Sequence, residues 1–169
     1  SFPAFAVDSL AKLHGGKEQL ANKIKELIRI PSNFHAGSYG QEIHEMTEAR
    51  AFAMGQYMHN NQPVHHILYI LAAIGYGKDA QKYLRRVMEK AYGYDYYAGD
   101  EDNGEQGAWF VLSALGMFSL APGDINYIAG SPLFKHVVIT RQDRSTMNQG
   151  SYHAPLYTAD KSAIHTGLR

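Results

Sequence analysis

At 169 residues the chain is long enough for one domain with a sizeable core, and its 16 basic and 16 acidic side chains cancel, so charge gives no case for a nucleic-acid or anionic-membrane partner. Without cysteine it has no disulfide, thiolate zinc site or cysteine nucleophile. No apolar stretch reaches the roughly 20 residues that span a bilayer, and the opening Ser1-Phe2-Pro3-Ala4-Phe5 lacks the basic and apolar regions of a signal peptide.

The first predicted elements are helices. Asp8 suits the N-cap of a short helix that stops at Gly15-Gly16, where glycine takes the left-handed conformation cheaply. From Lys17 to Arg29 the apolar Leu20, Ile24, Leu27 and Ile28 recur at helical spacing with Lys23, Lys25 and Glu26 outward, and Pro31 ends the run. Residues 32–43 have glycines, serines and no period, and read as a loop. His44-Glu45-Met46-Thr47-Glu48 invites comparison with the His-Glu-x-x-His zinc motif, but its fifth position is a glutamate, which excludes a zinc protease. Thr47 suits the cap of a helix from about Ala49 to Met58.

A second polar segment follows. His59-Asn60-Asn61-Gln62-Pro63-Val64-His65-His66 crowds amides and imidazoles around a proline that breaks one helix and suits the first turn of the next. Asn and Gln offer hard oxygen ligands, and imidazoles can donate to sugar hydroxyls or bind a metal, though three histidines so close are more often packing residues. Ile67, Ile70, Leu71 and Ile74 continue an apolar helix to Gly75. Ala80, Tyr83, Leu84, Val87, Met88 and Ala91 form the next, with Lys82, Arg85, Arg86, Glu89 and Lys90 as its solvated face, so the two make an antiparallel hairpin.

Residues 99–107 then set Asp100, Glu101, Asp102 and Glu105 among three glycines, immediately before an apolar run from Ala108 to Leu120 that reads as a buried helix. Two readings of these acids stand side by side. Asp and Glu at a helix N-terminus are ordinary capping and dipole partners. Alternatively, a loop turns Asp100 and Asp102 toward one cavity to hold a metal or a substrate, since a buried carboxylate without a partner is strongly disfavoured. An EF-hand is excluded, because counting from Asp100 places Gly104 and Val111 where ligands are required. Beyond Pro122-Gly123, residues 127–129 and 136–140 are short β-type runs, and from Arg141 the chain is polar, aperiodic and assigned no structure.

The order of His44-Glu45-Met46-Thr47-Glu48, Asn61-Gln62-Pro63 with His65-His66, Gly99-Asp100-Glu101-Asp102-Asn103-Gly104 running into Gly107-Ala108-Trp109, then Pro122-Gly123 and Gly130-Ser131-Pro132-Leu133-Phe134 resembles glycoside hydrolase family 92. These are calcium-dependent, inverting exo-α-mannosidases, and the likeness runs from about residue 5 to residue 139. It implies a mainly α fold of antiparallel helical hairpins forming part of an (α/α)6 barrel, with a few β-strands near the C-terminus. Residues 1–122 would be the C-terminal portion of that catalytic domain, 123–140 the start of a β-rich segment, and 141–169 an irregular tail.

The resemblance also implies roles. Asp100 and Asp102 would form the acidic pair serving as general base, Asn61 and Gln62 would help hold Ca2+, and His59, His65 and Glu48 would line the mannose pocket. The general acid would be a glutamate upstream of the first helix, in an N-terminal part of the same enzyme that this chain lacks. Mannose-containing glycans would be the substrate, with a secreted or extracytoplasmic location. Two neighbouring aspartates suit a base, because each one's charge affects the other's proton, and an inverting site keeps base and acid roughly 6.5 to 9.5 Å apart to admit water. The alternatives are a non-catalytic helical carbohydrate-binding or structural remnant, and an unrelated helical metal protein using His59, His65 and His66.

Overall fold

The computed structural model describes residues 4–121, 123–124, 126–141, 146–150 and 164–165. A 3-10 turn, Ala4–Ala6, leads into α1 (Val7–Leu13), and α2 follows at Lys17–Arg29. Asp8 is not the cap expected of it. It lies one residue inside α1, whose N-cap is Ala6, where its charge still favours the helix N-terminus. Gly15 and Gly16, at φ +88 and +131, make the turn between the helices. α2 has the predicted bounds and buries Leu20, Ala21, Ile24 and Ile28 along one face. Ile30, extended ahead of Pro31, ends it.

The next helix departs from expectation at both ends. α3 spans His44–Phe52, with Ile43 extended as its N-cap and Ala53 left-handed at φ 51 as its C-cap. Thr47 is an interior residue of α3. The segment after Phe52 cannot stay helical because it crosses the end of α2: Gln56 N donates to Leu27 O at 2.9 Å. Gly55 approaches so closely that a Cβ there would overlap the Leu27 and Ile28 carbonyls.

A 3-10 turn at Gln62–Val64 carries Pro63 in its first turn and leads to α4 (Ile67–Ala73). Every residue of α4 from Ile67 to Ala72 is buried, the mark of a central helix. α5 (Gly77–Lys90), joined by a short link, lies against it through Ala80, Tyr83, Leu84, Val87 and Met88. Lys25 of α2 reaches over to pair with Asp79 of α5, its ammonium 4.8 Å above the Tyr76 ring.

α6 runs Glu105–Leu115, beginning and ending earlier than the apolar run suggests. Left-handed Asn103 and Gly104 turn the chain into it, and Gly116 at φ 85 ends it. It is buried on one face only, through Gln106, Trp109, Ser113 and Ala114, while Val111 is exposed. The run holds more apolar residues than one helical face can bury. Its last part is instead a strand, β1 (Met117–Phe118), antiparallel to β2 (Ile128–Ala129).

β3 (His136–Arg141) pairs antiparallel with β4 (Thr146–Gly150) and β5 (Ile164–His165). The last two lie where no structure is expected from sequence, since backbone pairing to β3 needs no side-chain period; the rest of the expected tail lies outside the described residues. The fold is therefore mainly helical with short strands near the C-terminus, as expected. One core joins α1, α2, α4, α5 and α6 around Tyr57, Leu68, Tyr69, Leu84 and Trp109. Each aliphatic side chain fully buried there contributes about 1.5–3 kcal/mol. Among the described residues no helix is long and apolar enough to cross a membrane.

Candidate active site

The acidic loop is fastened to the molecule at its first residue. Gly99, at φ +81, lies against the Asn60 backbone so tightly that any side chain would overlap the Asn60 carbonyl. Its N–H donates to Glu48 Oε2 at 2.8 Å, and the same oxygen accepts Asn60 Nδ2 at 3.1 Å. Gln62 Nε2 donates to the Asp100 backbone carbonyl at 2.7 Å. Asp100 thus has a backbone held from both sides and a side chain 81% exposed. Asp102 is also exposed, and its carbonyl accepts Glu105 N at 3.0 Å as α6 begins.

The other two acids of the loop have structural work. Glu101 caps α6, its Oε1 accepting Gln106 N at 3.0 Å and its Oε2 accepting Gly107 N at 2.9 Å. Glu105 meets His65, whose Nδ1 lies 2.9 Å from Oε1 and 2.8 Å from Oε2. His65 Nε2 donates to His59 O at 2.8 Å. A carbonyl oxygen only accepts, so His65 donates from Nε2 to His59 O while its Nδ1 faces the Glu105 carboxylate.

His59 and His65 lie beneath the surface, 1% and 2% exposed, with their rings stacked at 4.2 Å. Trp109 packs edge-on against His59 and donates from Nε1 to His65 O at 3.1 Å. Tyr92 OH donates to Gln106 O at 3.2 Å, so it accepts from His59 Nε2 at 2.9 Å, and His59 Nδ1 accepts from Tyr57 OH at 3.1 Å. This chain of donors fixes His59 as the neutral Nε2–H tautomer. Burial, reinforced by the charge of His65, holds its pKa well below the usual histidine value. Burial likewise pushes the Tyr57 and Tyr92 hydroxyls far up, so both stay protonated.

At the surface, His44 stands among three carboxylates. Nδ1 is hydrogen-bonded to Glu48 Oε1 at 3.1 Å, and Nε2 lies 3.5 Å from both Glu45 Oε1 and Asp100 Oδ2. The Glu48 hydrogen bond is the main cause of a raised His44 pKa, opposed by desolvation and aided by the charges of Glu45, Asp100 and Glu48.

The structure therefore brings Glu48, Gln62 and Asp100 together, with Asn61 exposed beside Gln62, and sets His59 and His65 underneath as buried supports. Sequence reasoning missed His44, Asn60 and the division of labour between Glu101 and Glu105. The four-residue spacing of His44 and Glu48 within a helix signals their pairing; the contacts of Asn60 and Glu105 cross too many residues to be read locally.

Among the described residues no group of three or more Asp, Glu, His or Cys side chains is placed to hold a metal ion. A centre on His59, His65 and His66 is not assembled, because both ring nitrogens of the first two are engaged by the protein. The corner beside Asn61 nevertheless has spare oxygen: buried Asn60 Oδ1 and Glu45 Oε2 find no hydrogen-bond partner among the described residues. Such hard, uncommitted acceptors fit a calcium ion, which also takes amide oxygens, water and hydroxyls.

Residues 2–157 match the glycosyl hydrolase family 92 catalytic domain. No curated protein matches the chain. Among solved structures, a family GH92 inverting mannosidase from Bacteroides thetaiotaomicron VPI-5482 is 40% identical with a TM-score of 0.64, over 84% of this chain and 20% of its own. A family GH92 α-mannosidase from Bacteroides thetaiotaomicron, in complex with mannoimidazole, shares the fold at 24% identity and a TM-score of 0.63, over 79% of this chain and 17% of its own. The chain spans a fifth or less of the length of these solved relatives. With the family domain matched along nearly all of its length, this chain belongs to glycosyl hydrolase family 92.

Proposed function

We propose that this chain carries the general-base half of the active site of an inverting, calcium-assisted α-mannosidase that releases terminal α-linked mannose from glycans. Family membership and the 40% identity to an inverting mannosidase support the reaction class. The observation that carries the residue assignment is Asp100, whose carboxylate is exposed while its backbone is held by Gln62 and, through Gly99, by Glu48. A fixed backbone under an exposed carboxylate is what a base needs to meet water at one angle.

Asp100 and Asp102 together take a proton from a water that attacks the anomeric carbon on the face opposite the leaving group, so the configuration inverts. The two share that role as a pair. Protonation of the leaving oxygen falls to an acid outside this chain, in a longer polypeptide. Asn61 and Gln62 would hold calcium through their side-chain oxygens, Gln62 keeping its amide nitrogen on Asp100 O. A calcium ion held by these residues would supply a hard cation for sugar hydroxyls and would favour a flattened, oxocarbenium-like ring. Glu48 faces the same corner, and His59 and His65 support the mannose pocket from below.

The test is mannose release from an α-linked mannobiose by the polypeptide that carries this chain, with calcium and after chelation. Release of β-mannose that falls on chelation supports the reading. Retention of the α configuration would overturn the base assignment, and mannose binding without release would make the chain a carbohydrate-binding remnant.

A further inference from the structure

We propose that a cavity of about 330 Å³ beside the acidic loop is a subsite for a second sugar ring of the glycan, next to the mannose that is released; the inference rests on the mannosidase reading. Tyr92, Tyr96, Tyr97, Glu101, Phe110 and Val111 wall it, from the turn at residues 92–97 and the first turns of α6. Small-ligand pockets begin at about this size and are lined mainly by aromatic and apolar groups. The turn presents its rings on a braced backbone: Gly93 N donates to Tyr96 O and Ala98 N to Ala91 O, both at 2.8 Å, and Tyr92 bridges Tyr97. A Cβ at Gly93 would overlap the Tyr96 ring, so the missing side chain gives that ring its seat. Tyr92 is fixed in turn, its hydroxyl held between His59 Nε2 and Gln106 O and its ring stacked on Trp109.

The chemistry of the walls selects the ligand. Glu101 is the one charged residue among those lining the cavity, and its two oxygens are engaged by the Gln106 and Gly107 amides, so the cavity presents no free charge. Tyr96 and Tyr97 stand 55% and 48% exposed, and no described residue bonds to their hydroxyls. Open aromatic faces with unused polar tips suit a neutral molecule that offers C–H faces for stacking and hydroxyls for hydrogen bonds, which describes a pyranose. Position adds the second argument. Glu101 stands between Asp100 and Asp102, and consecutive Cα atoms are about 3.8 Å apart, so this wall and the proposed base belong to one loop. A glycan whose terminal mannose meets the base has its next ring within reach of the tyrosines.

The polypeptide that carries this chain is treated with tetranitromethane, alone, with methyl α-mannoside, and with an S-linked α-mannobiose that resists hydrolysis, and nitration of Tyr96 and Tyr97 is read by peptide mass. The two-ring sugar should protect both tyrosines and the one-ring sugar should not. Equal protection by the two sugars, or by neither, overturns the proposal. So do tyrosines that fail to react without sugar, since another part of the polypeptide then covers them. Kinetics give the second reading. In Tyr97→Ala, kcat/KM for α-linked mannobiose should fall about three- to tenfold relative to that for methyl α-mannoside, the worth of one lost aromatic contact, and Tyr97→Phe should keep most of it. An unmoved ratio in Tyr97→Ala overturns the subsite. A wild-type protein without hydrolysis sinks the mannosidase reading instead, and the nitration pattern still decides whether these tyrosines hold a sugar.

Discussion

The carboxylate of Glu48 on α3 holds the backbone N–H of Gly99, 51 residues further along the chain, at 2.8 Å. That bond seats the residue immediately before Asp100, so the helix and the acidic loop are one unit. Truncation to Glu48→Ala removes the acceptor for Gly99, Asn60 and His44 together. Hydrogen bonds to a charged group contribute about 1.5–3 kcal/mol, and this side chain is part-exposed, so a loss near the lower end is expected in urea unfolding. Gly99→Ala should cost about 1–3 kcal/mol in the same assay, because it needs a strained φ and displaces the Asn60 carbonyl.

Asp100→Asn and Asp102→Asn should each lower mannoside turnover by at least about two orders of magnitude with unchanged thermal unfolding, since both side chains are exposed. Steady-state kinetics beside a melting curve make the comparison. Near-normal turnover in both variants removes the base from this loop.

Glu101 should behave differently, although it stands between them. Its two oxygens hold the Gln106 and Gly107 amides, so Glu101→Ala should destabilise the protein by about 1 kcal/mol, the ordinary cost of a lost helix cap. Chemical denaturation measures this, and a stability equal to wild type would contradict the capping role.

His59 predicts a pH dependence of folding. Its folded pKa is depressed by burial, so as pH falls below the unfolded value near 6.5 the unfolded chain gains a proton that the native state refuses. The stability is complete above that value and declines below it by about 1.4 kcal/mol per pH unit from this group. Urea unfolding between pH 7 and pH 5 should show the slope, and His59→Gln should flatten it.

Much of this was legible in sequence where a signal is local. α2 has its predicted ends because an amphipathic period meets a proline two residues beyond its last turn. α3 was misplaced because its true caps, Ile43 and Ala53, carry no side-chain hint, and because the following segment is shaped by the end of α2. In the site, the glycine-bounded run marks where Asp100 and Asp102 stand. Which acids cap and which stay free depends on the Glu101 bonds to α6 and on His65, 40 residues from Glu105. Of the two readings of the loop, capping describes Glu101, while the functional one is carried forward for Asp100 and Asp102 as a proposal.

The way residues 99–105 are tied down has a bearing on turnover. With Gly99 pinned to α3 and Asn60, Asp100 to Gln62, and Glu105 to His65, this rim has little freedom to swing over a bound sugar or away from it. Under the proposed hydrolysis, departure of a released monosaccharide would not wait on a gate at this edge, and the speed of the cycle would fall to the bond-breaking itself or to movements elsewhere.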